Sequence, residues 1–181
     1  IDDTAPRIVV SPRPAPALTR YDVHVRVLSV TDDRTPSSLI VVTGATGRYT
    51  NTSTNVVILT ADDEAGNRTE EYLSFIIDKD PPRIHIAPVE SPTAEDVTLR
   101  GTWTDNYSAP GNVRFFGDES PYTNEGPHIV TITAVDEAGN SNQDSVEFVI
   151  DRSGPVVSIL GARDGLLTNT AVTVRASATD L

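Results

Sequence analysis

The 181-residue chain is predicted to be all-β and to fold as tandem β-sandwiches. Three observations predict this. The apolar residues are mostly Val, Ile and Leu set among many Thr and Ser, which suits pleated, half-buried strands. Short stretches alternate apolar and polar residues, and no stretch repeats apolar residues at helical spacing for three turns. A long segment also recurs at a fixed offset, the mark of a repeated structural unit.

Asp63-Glu64-Ala65-Gly66-Asn67 returns as Asp136-Glu137-Ala138-Gly139-Asn140, an offset of 73 (136 − 63). The same offset pairs Tyr49-Thr50-Asn51 with Tyr122-Thr123-Asn124 and Phe75-x-Ile77-Asp78 with Phe148-x-Ile150-Asp151. About half the positions from Tyr49 to Asp78 match their partners. Each copy opens on an Asp and a short Pro-containing hinge: Asp2 to Pro6, Asp78 to Pro82, and Asp151 to Pro155. Proline fixes φ, and linkers this short give a semi-rigid joint. The expected organisation is a first repeat over residues 1–77, a second over 78–150 and an incomplete third over 151–181.

The strands follow from alternation. In the first repeat they are expected at Ile8–Val10, Tyr21–Val30, Leu39–Val42, Val56–Ala61 and Tyr72–Ile77. In the second they are expected at Arg83–Ala87, then along Val97, Leu99, Gly101 and Trp103. Val113–Phe116, a strand through Ile129, Val130, Ile132 and Ala134, and one through Val146, Phe148 and Ile150 complete the set. The third repeat offers two, near Val156–Ile159 and Ala171–Ala178. Trp103 extrapolates to the buried face. Tyr49 and Tyr122 are expected to tie down a corner before the penultimate strand.

Composition excludes several function classes. A formal net charge of −12 repels nucleic-acid phosphates and anionic membranes. The absence of Cys removes disulfides, thiolate metal sites and Cys nucleophiles. No apolar run is long enough to span a bilayer, so direct membrane insertion is not expected. His24, His85 and His128 show no metal spacing, there is no nucleophile elbow, and Gly44-Ala45-Thr46-Gly47 lacks the Lys of a phosphate loop. No enzyme is expected. The chain opens on Ile1-Asp2-Asp3 with no initiator Met and reads as a segment of a longer protein.

Hinge Asp-x-x-x-Pro-x-Ile, a mid-repeat Thr-x-Thr-Asp (with Trp103 between the two Thr of the second repeat) and the closing Thr-Ala-x-Asp-Glu-Ala-Gly-Asn together resemble the bacterial Ig-like repeats of large surface proteins and adhesins. The resemblance runs through the whole chain. It implies seven-strand Ig-like (fibronectin III/cadherin-like) sandwiches outside the cytoplasm, on a bacterial cell surface, and it implies no ligand.

In a sandwich of that topology the hinge, the loop after the second strand and the loop between the last two strands share one end. The second repeat then gathers Asp78, Asp80, Asp105, Asp136, Glu137 and Asn140. The first gathers Asp2, Asp3, Asp32, Asp33, Asp63 and Asn67, with Asp62 beside them. Six to eight oxygen ligands in flexible geometry are what calcium requires, and cadherin-like domains distribute junction ligands in a similar way. The alternative is structural, with Asp and Asn accepting backbone hydrogen bonds in turns where Gly66 and Gly139 supply positive φ. Both readings stand at this point.

The expected function is a structural and interaction segment: a semi-rigid stalk or filament-associated module whose partners are the neighbouring domains of the same chain. Two alternatives stay open. One is an adhesive module for glycan or protein partners, or for a filament subunit, using loops such as Arg34–Ser38 and Ser108–Glu119 or a free sheet edge. The other is an accessory domain of a secreted hydrolase.

Overall fold

A computed structural model describes residues 1–13, 15–161, 164–165 and 167–180. The chain is all-β with several sheets, an arrangement compatible with β-sandwich architecture. It divides into two compact units. The first comprises Ile1–Ile84, Trp103–Phe116 and Thr133–Gln143; the second comprises His85–Thr102, Gly117–Ile132 and Asp144–Leu181.

In the first unit seven strands precede the second hinge. They are β1 (Arg7–Ser11), β2 (Leu18–Thr19), β3 (Val23–Thr31), β4 (Val41–Gly44), β5 (Gly47–Tyr49), β6 (Ser53–Asp62) and β7 (Arg68–Ile77). One sheet has the order β1-β3-β5 and the other β2-β7-β6-β4. The backbone of the second sheet is the β6–β7 hairpin, paired from Ser53↔Ile77 to Asp62↔Arg68. Period-two alternation turns Val57, Leu59, Ala61, Leu73, Phe75 and Ile77 inward and leaves Val56, Ile58 and Tyr72 exposed. The buried set clusters with Ile8, Val10, Val23 and Val25 from the first sheet. Burying a side chain the size of Val, Leu or Phe contributes about 1.5–3 kcal/mol, so this cluster anchors the unit.

Two strands are not predicted by the apolar–polar alternation. Strand β2 is only two residues long and pairs parallel with β7. Strand β5 pairs antiparallel with β3. Neither is long enough to show alternation, and each is held by its non-local partner.

The later elements are β8 (Arg83–Ile86), β9 (Gly101–Thr104), a 3-10 helix at Pro110–Asn112, β10 (Arg114–Phe116), β11 (Gly126–Val135), β12 (Ser141–Ile150), β13 (Val156–Leu160) and β14 (Arg175–Thr179). Strands β10-β11-β12 form one sheet, β8-β9 another and β13-β14 a third. The buried residues of the second unit are Val97, Leu99, Val130, Ile132, Phe148 and Ile150. Tyr122 meets Phe148 edge-on at 5.6 Å, and His128 stacks on it at 5.0 Å. Every described residue of β13 and β14 is exposed.

The alternation through Val97, Leu99, Gly101 and Trp103 places the first two inside, yet the regular strand begins only at Gly101. Val97 exchanges backbone hydrogen bonds with Tyr122 at 3.0 and 2.8 Å, and the Leu99 N–H donates to the Ser120 hydroxyl at 2.9 Å. A side-chain hydroxyl stands where a ladder carbonyl is needed, so the strand does not propagate. Trp103 is half-buried against Phe115, with ring centroids 6.3 Å apart.

Candidate metal centre

The acidic positions sit in three turn types, each built from local sequence. At the hinges, Asp2, Asp78 and Asp151 each accept the N–H of the residue two positions on: Thr4 at 3.2 Å, Asp80 at 3.1 Å and Ser153 at 3.1 Å. An Asp ahead of a Pro stretch thus caps a backbone that has no ladder partner. After the second long strand of each copy, Asp32 and Asp105 form Asx turns. The Arg34 and Thr35 N–H groups reach Asp32 Oδ2 at 2.9 and 3.0 Å. Those of Tyr107 and Ser108 reach Asp105 Oδ1 at 3.1 and 2.6 Å.

The Asp-Glu-Ala-Gly-Asn turns are the third type. Asp63 Oδ1 accepts the Asn67 N–H at 2.8 Å and Oδ2 accepts Asn67 Nδ2 at 2.8 Å. Asp136 does the same with Asn140, at 2.7 and 2.8 Å. Gly66 and Gly139 hold φ of +92° and +90°, where an L side chain is strained. Each Asn then clips the turn to the hinge. Asn67 Nδ2 donates to the Asp2 carbonyl at 3.3 Å, and Asn140 Nδ2 to the Asp78 carbonyl at 3.0 Å.

This framework brings three carboxylates together. One oxygen each from Asp78, Asp105 and Asp136 lies within 4.8 Å of the other two. Asp78 is 0 % exposed and Asp136 3 %, while Asp105 is half-buried. Asp78 Oδ2 and Asp105 Oδ2 are buried and accept no hydrogen bond. Burial pushes the Asp78 carboxyl above the ordinary range; the charges of Asp105 and Asp136 add to this, and the Asp80 N–H and the nearby Asn106 amide oppose it. In the first copy Asp2, Asp32 and Asp33 also approach within 4.8 Å, and Asp32 Oδ1 is likewise buried without a partner, but Asp33 is exposed and neither Asp2 nor Asp32 is fully buried. Asp32 is held below the usual carboxylate range by the Thr35 and Arg34 N–H groups. Asp63 is held down as well: burial raises it, and the Asn67 amide and the turn N–H groups outweigh that.

The remaining positions have other work. Asp80 Oδ2 accepts Asn106 Nδ2 at 3.1 Å at the mouth of a pocket of about 650 Å³, lined by Asp80, Pro81, Arg83, Thr104, Asp105, Asn106 and Asn142. Glu137 is exposed, and its Oε2 accepts Asn112 Nδ2 at 2.8 Å. Asn140 faces the carboxylates as a hydrogen-bond donor through Nδ2. Asp3 is exposed, and Asp62 pairs with Arg68 at 2.6 Å. Serine 108 escaped the sequence reading; its buried hydroxyl accepts the Glu137 N–H at 3.0 Å and ties the Asx turn to the Asp-Glu turn.

No protein-family model matches the chain, and no curated protein matches it. Among the described residues no helix is long and apolar enough to cross a membrane.

Proposed function

We propose that the chain is a structural and interaction segment of a bacterial extracellular surface protein, made of tandem Ig-like sandwiches that act as a semi-rigid stalk. The observation that carries this reading is that comparable positions of the two copies hold their corners, clips and strand ends, with the Asp63–Asn67 and Asp136–Asn140 turns matching bond for bond. Tyr49 Oη donates to the Ala45 carbonyl at 3.0 Å while its ring meets Phe75 edge-on at 5.4 Å. Tyr122 Oη accepts the Glu119 N–H at 3.1 Å while its ring meets Phe148 at 5.6 Å. Thr69 Oγ1 donates to the Pro6 carbonyl at 2.5 Å, and Asn142 Nδ2, one repeat later, to that of Pro82 at 3.1 Å. The Asp78 N–H donates to the Thr19 carbonyl at 2.9 Å, and that of Asp151 to Thr93 at 2.8 Å.

The contacts that recur between copies hold corners, clips and strand ends, which supports an architectural role for the repeat. The hinge is also braced: Lys79 Nζ reaches Asp22 at 2.5 Å, and Arg20 Nη1 reaches the Gly139 carbonyl at 2.6 Å. Under this reading the repeat boundaries fall at 77/78 and 150/151. The copies bear load, and partners are the neighbouring domains of the same chain.

Stretching single molecules tests the reading. Each copy of about 70 residues releases roughly 250 Å of contour at about 3.5 Å per residue. Two separate events of comparable length are expected. One concerted event, or gradual extension without force peaks, would overturn it.

A further inference from the structure

We propose that Asp78, Asp105 and Asp136 form a binding site for a hard divalent cation of the calcium class. The inference does not rest on the stalk reading, because binding is measured without reference to load.

Three things separate this cluster from an ordinary acidic surface. Its members converge, with one oxygen from each within 4.8 Å of the others. Two of them are buried, at 0 % and 3 % exposure. Among their oxygens, Asp78 Oδ2 and Asp105 Oδ2 are buried and have no partner in hydrogen-bond geometry; the Asn106 amide near Asp78 donates instead to Asp80 Oδ2 at 3.1 Å. A buried carboxylate needs hydrogen bonds, an opposite charge or a proton. The hydrogen bonds go to the other oxygens: Asp80 N–H to Asp78 Oδ1, Tyr107 and Ser108 N–H to Asp105 Oδ1, and Asn140 to both oxygens of Asp136. Among the described residues no Lys or Arg pairs with any of the three. The turns therefore aim lone pairs inward and leave them unneutralised.

The chemistry of the donors selects the ion. All are carboxylate oxygens, with no His or Cys, so a hard cation fits and a soft one does not. Three carboxylates supply three to six of the oxygens that calcium takes, and its tolerance of irregular geometry suits a set fixed by three different turns. Magnesium requires near-ideal octahedral geometry and keeps its waters, which the buried Asp78 does not accommodate. The pocket bordered by Asp80, Asp105 and Asn106 gives an approach through which water could supply the remaining ligands. In the first copy the carboxylates that converge are Asp2, Asp32 and Asp33; Asp32 Oδ1 is buried without a donor there too, but Asp33 is exposed, Asp2 is half-buried, and Asp63, the counterpart of Asp136, is not among the three.

The test uses the full chain, stripped with chelator, then titrated with calcium chloride or magnesium chloride by calorimetry and by thermal melting. Calcium is expected to bind and to raise the melting midpoint, with magnesium at least about tenfold weaker. Asp105→Asn is the primary variant, since position 105 is half-buried and tolerates an amide. It is expected to weaken calcium binding by about tenfold or more. In chelator the same variant should melt at or above the wild-type midpoint, because it removes a repelling charge. With calcium it should melt below. That crossover is what a purely structural Asx role cannot produce. Asp33→Asn is expected to leave the binding intact. Absence of binding and of any midpoint shift at millimolar calcium overturns the proposal. Calcium binding unchanged in Asp105→Asn overturns it too.

Discussion

Asn140 shows how much one amide can hold. Its Nδ2 reaches Asp136 Oδ2 at 2.8 Å, the Asp78 carbonyl at 3.0 Å and the Asp80 carbonyl at 3.4 Å. Truncating it leaves buried acceptors without a donor, which costs about 1–3 kcal/mol. Asn140→Ala is therefore expected to lower the unfolding free energy by that amount in urea titrations, with an unchanged m-value. Asp22 offers a second residue-scale prediction. The Lys79 ammonium above all, and then the Arg48 guanidinium, hold its carboxyl below the usual range against partial burial. A carboxyl depressed in the folded state stabilises the fold above its unfolded pKa of about 3.9, and that contribution disappears as pH falls through the lower folded value. Asp22→Asn should therefore be less stable than wild type at pH 7, and the two unfolding free energies should converge as the pH drops below about 4. A difference that persists undiminished at low pH would show that the ion pairs are not its source. Which acids matter was only partly legible at this scale. The hinge, Asx and Asp-Glu positions follow from residue type and spacing. That Asn140 faces them as a donor and Glu137 turns to Asn112 depends on rotamers that no spacing specifies.

At the scale of elements, the long hairpins were readable and the short ones were not. Strands β6 and β7 run ten residues each, and their alternation outlasts any single exception. The two-residue β2 exists because Ile76 N–H donates to Ala17 and Asp78 N–H to Thr19, both contributed by a distant segment. Strand β9 begins late because Ser120 offers Leu99 a hydroxyl instead of a strand. The β13–β14 hairpin is the opposite case, expected from sequence and present, but with every described residue exposed. None of its described residues is buried, and apolar burial is the main favourable term in folding. Removing residues 155–181 is expected to leave the melting midpoint of the remainder unchanged. The truncation spares Arg152, which bonds the Thr123 carbonyl at 2.8 Å, the Ala94 carbonyl at 2.9 Å, and Asp96. A drop in the midpoint would mean that β13 or β14 has a partner in solution.

For the whole molecule, charge and repetition pull in opposite directions. A net charge of −12 on 181 residues favours solubility but works against compaction. Repetition answers part of that cost by giving each copy the same internal donors: the Asn clips, the turn N–H groups and the hinge N–H groups all point at carboxylates. The Asp78–Asp105–Asp136 cluster is where those donors run short. An apolar–polar period is local, so the all-β class, the long hairpins and the repeat follow from the chain read residue by residue. The composition of each turn is local too, and it carries the candidate acids. Desolvation is not local. Whether a carboxylate keeps its water depends on what the fold lays over it, and only the folded chain decided that Asp78 loses all contact with solvent while Asp33 keeps it.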